Sequence, residues 1–205
     1  MTASALKNIS NCYKSQEMAS DKEGLGMSEV TTAKQQIQTT STVKKMTATA
    51  VMATLTTLMT AYLFHIPIGV NGGYIHLGDT MIYLAAAFLP LPYACAVGAI
   101  GGGLSDLLTA PVWAPATILI KMLICLPFSN KGRKLVTKRN IVALFLAFIL
   151  SVAGYYIAEG VMFGFTASFF TSISGNAVQS GGSAVMFVIL GSALDKIGFK
   201  ANIAN

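Results

Sequence analysis

Charge is scarce in this chain. Asp, Glu, Lys and Arg make up 11% of its 205 residues, less than half the roughly 25% usual in soluble domains. Cysteine is nearly absent as well. Cys12, Cys95 and Cys125 stand too far apart for a metal box, and two of them fall in apolar runs, as buried reduced thiols do. There is no P-loop, no dinucleotide-binding fingerprint and no nucleophile elbow around Ser105-Asp106. No basic stripe interleaved with aromatics offers itself to nucleic acid. These absences exclude a soluble enzyme, a disordered protein and a coiled coil, and they leave the chain no means of hydrolysing ATP. What is plentiful is apolar: 54% of residues are hydrophobic and the mean hydropathy is +0.63. That is the composition of an integral membrane protein. The chain is not expected to be an enzyme or to carry a cofactor or a metal.

Six apolar runs, 46–64, 75–90, 92–109, 113–128, 140–160 and 176–195, predict an all-α membrane protein of six transmembrane helices. The second and fourth are short for about 30 Å of hydrocarbon at about 1.5 Å per residue, so neighbours must bury them. Residues 1–45 are polar and read as a disordered cytoplasmic tail, 46–200 as the membrane domain and 201–205 as a short C-terminal tail. Positive charge tests the count. With the tail inside, Lys131, Arg133, Lys134, Lys138 and Arg139 fall on one inner connection, and Lys196 and Lys200 on the inner C-terminus. The outer connections 65–74, 110–112 and 161–175 hold no Lys or Arg. Six spans with both ends cytoplasmic, in the cell membrane, satisfy the rule.

A charge at membrane depth is a candidate for function because it costs several kcal/mol to place there. Asp79, Asp106 and Glu159 all lie in the outer half of their spans, Asn176 opens span six from the same side, and Lys121 sits mid-way along span four. Polarity is therefore concentrated on one leaflet. Ala94, Gly98, Gly102 and Asp106 recur every four residues and share a helix face on which a neighbour can pack closely. Tyr155 and Tyr156 precede Glu159 by about one turn, and Asn176, Gln179 and Ser183 form a hydrogen-bonding stripe. The outer loop from Gly69 to His76 has glycines that permit close approach to a ligand. Blander readings stand beside these. Asp106 and Lys121 could simply neutralise each other, Glu159 could reach water, His65 could sit idle at the interface, and His76 with Asp79 is one ligand short of a metal site.

The string GGYIHLGDTMIYLAAAFLPLPYACAVGAIGGGLSDLL (Gly72–Leu108), followed by APATILIK (Ala114–Lys121), resembles the substrate-binding S components of energy-coupling factor (ECF) vitamin transporters. The likeness extends through GYYIAEG (Gly154–Gly160), SGNAVQSG (Ser174–Gly181) and ALDKIG (Ala193–Gly198), in the group that includes riboflavin and hydroxymethylpyrimidine binders. The resemblance implies a six-helix subunit that captures a vitamin or precursor in an outer pocket. It would deliver the ligand with a transmembrane coupling (T) subunit and two ATP-binding-cassette ATPases, toppling in the lipid as it does so. The expected ligand is a heterocycle such as hydroxymethylpyrimidine, pyridoxine or riboflavin. The candidate pocket residues are Asn71, Tyr74, His76, Asp79, Trp113, Lys121, Tyr155, Glu159, Asn176 and Gln179. Aromatic rings would stack on the heterocycle and amides would read its donors and acceptors. The family's A-x-x-x-A coupling face on span one corresponds here to Thr49, Ala53, Thr57 and Ala61. Two other classes compete: a self-sufficient proton-coupled secondary transporter relaying through Asp106, Lys121 or Glu159, and an intramembrane enzyme using Asp79, His76 and Glu159.

Overall fold

A computed structural model describes residue 32 and residues 34–36, 38–63, 65–68 and 73–200. It divides into two units, Met1–Lys44 and Lys45–Asn205. The described part of the first is helical, and Thr39, Thr40 and Thr42 each bond back to the carbonyl four residues earlier.

Six helices are found among the described residues. They are α1 (Lys34–Leu63), α2 (Asp79–Phe88), α3 (Leu91–Thr109), α4 (Ala114–Leu123, entered through a 3-10 turn at Pro111–Trp113), α5 (Lys138–Phe163) and α6 (Phe165–Lys196). The last turns of α1, Met59–Leu63, are wound as π-helix. Four stretches are long and apolar enough to cross a membrane: Lys34–Leu63, Leu91–Thr109, Lys138–Phe163 and Ile173–Lys196. The apolar helices Asp79–Phe88 and Pro111–Leu123 are shorter.

The helical fold carries one short addition, in that β1 (Ile66–Ile68) and β2 (Gly73–Ile75) pair antiparallel, with Pro67 opposite Tyr74. Alternating apolar residues next to a glycine-rich loop favour a hairpin, which satisfies the backbone between α1 and α2. Span two is correspondingly cut to ten residues, about 15 Å of helix. The expected outer connection at 161–175 is largely helical, interrupted at Gly164. Gly164 adopts φ 95°, ψ 139°, a conformation that only glycine takes without strain. The helix that holds the first apolar run starts at Lys34.

α2 lies at the centre. Ile82, Tyr83, Ala85 and Ala87 are almost wholly buried, so a helix apolar on every side is satisfied by neighbours rather than by lipid. It packs on α3 and α6, α6 packs on α5, α5 on α4 and α4 on α3. Close approach between helices comes from glycine, as the recurrence in α3 predicts. A Cβ on Gly98 would stand 2.6 Å from the Lys121 carbonyl oxygen, and one on Gly102 would stand 2.9 Å from the Lys121 Cγ. Gly101, one position round the helix, does the same for α1, where a Cβ would meet the Ala53 carbonyl at 2.9 Å.

Thr49, Ala53, Thr57 and Ala61 on the small-residue face of span one are all buried, and the Thr57 hydroxyl lies within hydrogen-bond distance of the Ala53 and Gly101 carbonyl oxygens. Around Ala53 and Thr57 this face packs on α3 of the same chain. The face of α1 left exposed carries Ala50, Val51, Thr54, Leu55 and Leu58 instead.

Candidate functional site

Asp79 opens α2 beneath the hairpin and is fully buried. Its Oδ1 accepts a hydrogen bond of 2.6 Å from the Nζ of Lys121 on α4, which is also fully buried. The other carboxylate oxygen, Oδ2, accepts from Gln179 Nε2 on α6 at 3.4 Å. One carboxylate thus ties three helices together. Two opposite charges taken out of water hold each other ionised only if their remaining hydrogen-bonding capacity is also met. Lys121 gains a further contact from the Tyr155 ring, whose centroid lies 5.1 Å from its ammonium.

The aromatic wall lies beside this pair. The Tyr155 hydroxyl is 3.0 Å from the Thr117 hydroxyl, one turn before Lys121. Trp113 is buried with its ring 6.3 Å from that of Tyr155 and 5.8 Å from that of Phe163. Glu159, one turn beyond Tyr155, is 5% exposed, so burial replaces the solvated alternative. Asn176 is half-buried at the start of the described α6 surface, one turn from Gln179.

The hairpin covers the same end of the bundle. The Tyr74 hydroxyl donates to the Asp106 carboxylate. Burial, reinforced by the Asp106 charge, pushes the phenol pKa up, which keeps Tyr74 a neutral donor. Asp106 is therefore engaged by the hairpin, while Lys121 pairs with Asp79. The expected Asp106–Lys121 neutralisation is replaced by two separate pairs. The His65 ring stacks on Tyr74 at 4.0 Å and its Nδ1 lies 3.2 Å from the Thr60 carbonyl oxygen, so His65 is not idle. His76 is buried; its Nδ1 accepts from the Gly78 N–H at 3.0 Å and lies 3.5 Å from the Thr60 hydroxyl. Gly78 has no alternative there, since a Cβ would fall 1.9 Å from the Thr60 Oγ1.

Of the ten expected residues, Asp79, Lys121 and Gln179 meet directly, Tyr155 and Trp113 flank them, and Tyr74 and His76 close over them from the hairpin. Glu159 and Asn176 sit on the adjoining turns of α5 and α6. Asn71 lies outside the described residues. Sequence reasoning missed Thr117, Thr60 and Thr80, whose hydroxyl donates to the Ser183 carbonyl at 3.2 Å. Only Thr117 carries a signal, its four-residue spacing from Lys121. Among the described residues no three His, Cys, Asp or Glu side chains are grouped to hold a metal ion.

Comparison with known proteins adds two findings. The family model described as the ECF-type riboflavin transporter, S component, matches residues 40–196. A curated protein of Pyrococcus woesei, described as an uncharacterized protein in gap 3'region, is 42% identical over 64 residues, 31% of this chain and 43% of that protein. The chain thus spans under half the length of that relative.

Proposed function

Since the chain belongs to the family of ECF-type riboflavin transporter S components, we propose that it captures a flat, water-soluble vitamin or precursor from outside the cell. It would pass the ligand inward with a T subunit and two ATPases in the cell membrane. The observation that carries this reading is the buried Asp79–Lys121–Gln179 cluster, which stands beside the rings of Trp113 and Tyr155 under the hairpin. A heterocycle with ring nitrogens and carbonyls needs an apolar face to stack on and a few fixed donors and acceptors. Trp113 and Tyr155 provide the first, and Lys121, Gln179, Asn176 and Glu159 the second.

Tyr74, His76 and Asn71 would act from above. Tyr74 would leave Asp106 as the ligand enters. Riboflavin, pyridoxine and hydroxymethylpyrimidine are the ligands to try first. Of the three relay groups open to the proton-coupled alternative, Lys121 is held by Asp79 and Asp106 by Tyr74.

Native mass spectrometry of the purified protein, followed by calorimetric titration with these three compounds, tests the proposal. One-to-one binding without ATP, weakened at least tenfold by Gln179→Ala or Trp113→Ala, is expected for about 1.4 kcal/mol per lost contact. A folded protein that binds none of them would overturn it.

A further inference from the structure

The connection between α4 and α5 has a surface that substrate capture does not use. Lys131, Arg133, Lys134, Lys138 and Arg139 are all exposed there, and the chain has no acidic residue between Asp106 and Glu159. The connection is held in shape. Buried Asn140 accepts from the Ser129 N–H at 3.0 Å and donates to the carbonyls of Ser129 at 3.1 Å and Leu135 at 2.8 Å. Asp195 of α6 reaches the same segment, but its two oxygens accept from the backbone N–H groups of Leu135 at 2.7 Å and Val136 at 2.9 Å. Among the described residues, none of the five cations has a carboxylate within 4.0 Å.

An apolar groove of about 470 Å³ opens at the same end of the bundle. It lies between the start of α3 and the end of α4 and is lined by Leu91, Pro92, Cys95, Ala96, Ala99 and Met122. Exposed cations on a backbone held in place, at the same end of the bundle as an apolar groove, match an amphiphile with a negative head. An acidic protein segment would leave the slot unfilled. Residues 1–45 carry six Lys against four Asp and Glu, so they are no electrostatic complement. We propose that this end of the bundle is a docking site for an anionic phospholipid, its phosphate on the 131–139 cations and an acyl chain in the groove.

The test uses the full-length protein in neutral detergent, titrated separately with phosphatidylglycerol and phosphatidylcholine and read by native mass spectrometry. Phosphatidylglycerol should be retained about fivefold or more over phosphatidylcholine. Joint substitution of Lys131→Gln, Arg133→Gln and Lys134→Gln should abolish that preference, whereas Lys131→Arg with Lys134→Arg should keep it. Ala99→Phe, which fills the groove, should lower retention of both lipids. Equal retention of the two lipids by the unaltered protein would overturn the proposal, and that comparison holds even if the triple variant does not fold. A folded triple variant with undiminished preference would do the same. So would hydrogen-exchange protection of 129–137 that appears with an acidic protein partner but not in phosphatidylglycerol nanodiscs.

Discussion

Lys121 settles on one carboxylate only in three dimensions. The sequence places Asp79, Asp106, Glu159 and Lys121 in the membrane but leaves open which carboxylate the lysine takes. The structure gives Lys121 to Asp79 and leaves Asp106 to Tyr74. Removing one member of a buried pair strands the other, which costs about 3–5 kcal/mol, whereas replacing both is far milder. Asp79→Asn or Lys121→Met alone should therefore destabilise the protein by about that amount in detergent unfolding. The double substitution should recover most of the loss while leaving binding abolished. If the double variant is no more stable than either single one, the pair is not what holds α2 to α4. At the hairpin, Tyr74→Phe leaves a buried Asp106 short of a donor and should cost about 1–3 kcal/mol, read as a lowered unfolding midpoint. Hydroxyls such as Thr60 and Thr80 were invisible in the sequence because a threonine in an apolar helix usually bonds its own backbone, as Thr56 does to Met52.

At the scale of elements, the helix faces could be read where a single residue type repeats. The spacing of Ala94, Gly98 and Gly102 announced a close neighbour, and α4 fills that place. The small face of α1 was equally visible, yet its occupant was not, because a stripe of small residues states only that something approaches. Substitutions separate tight faces from open ones. Gly98→Ala and Gly101→Ala would place a Cβ 2.6 Å and 2.7 Å from its nearest neighbour. Each should destabilise by about 1–3 kcal/mol through overpacking. Gly181→Ala in α6 meets nothing within 4 Å and should stabilise by up to about 1 kcal/mol through helix propensity. Thermal unfolding of the three variants side by side checks the sign. The second span, read as 75–90, loses its beginning to the hairpin, and burial by α3 and α6 lets ten residues suffice for α2, the burial that its short length called for.

For the whole molecule, the distribution of charge makes a topological prediction. Lysines and arginines gather at the end of the bundle where α4 gives way to α5, and the hairpin lies at the other. In a background free of native cysteine, Lys131→Cys should react with an impermeant maleimide from one side of the membrane and Asn71→Cys only from the opposite side. Labelling of both from the same side would sink the six-span arrangement. The sequence by itself determined the apolar composition of a membrane protein, the clustering of its polar residues toward one end of the apolar runs and the family it resembles. Composition, charge asymmetry and local spacing are properties of the linear chain and survive without coordinates. Only the tertiary structure decided which charges pair, that Glu159 is buried, that α3 packs on α1 at Ala53 and Thr57, and that a hairpin lies over the polar cluster. Each of those depends on contacts between residues tens of positions apart, where a shift of one helical turn exchanges one partner for another.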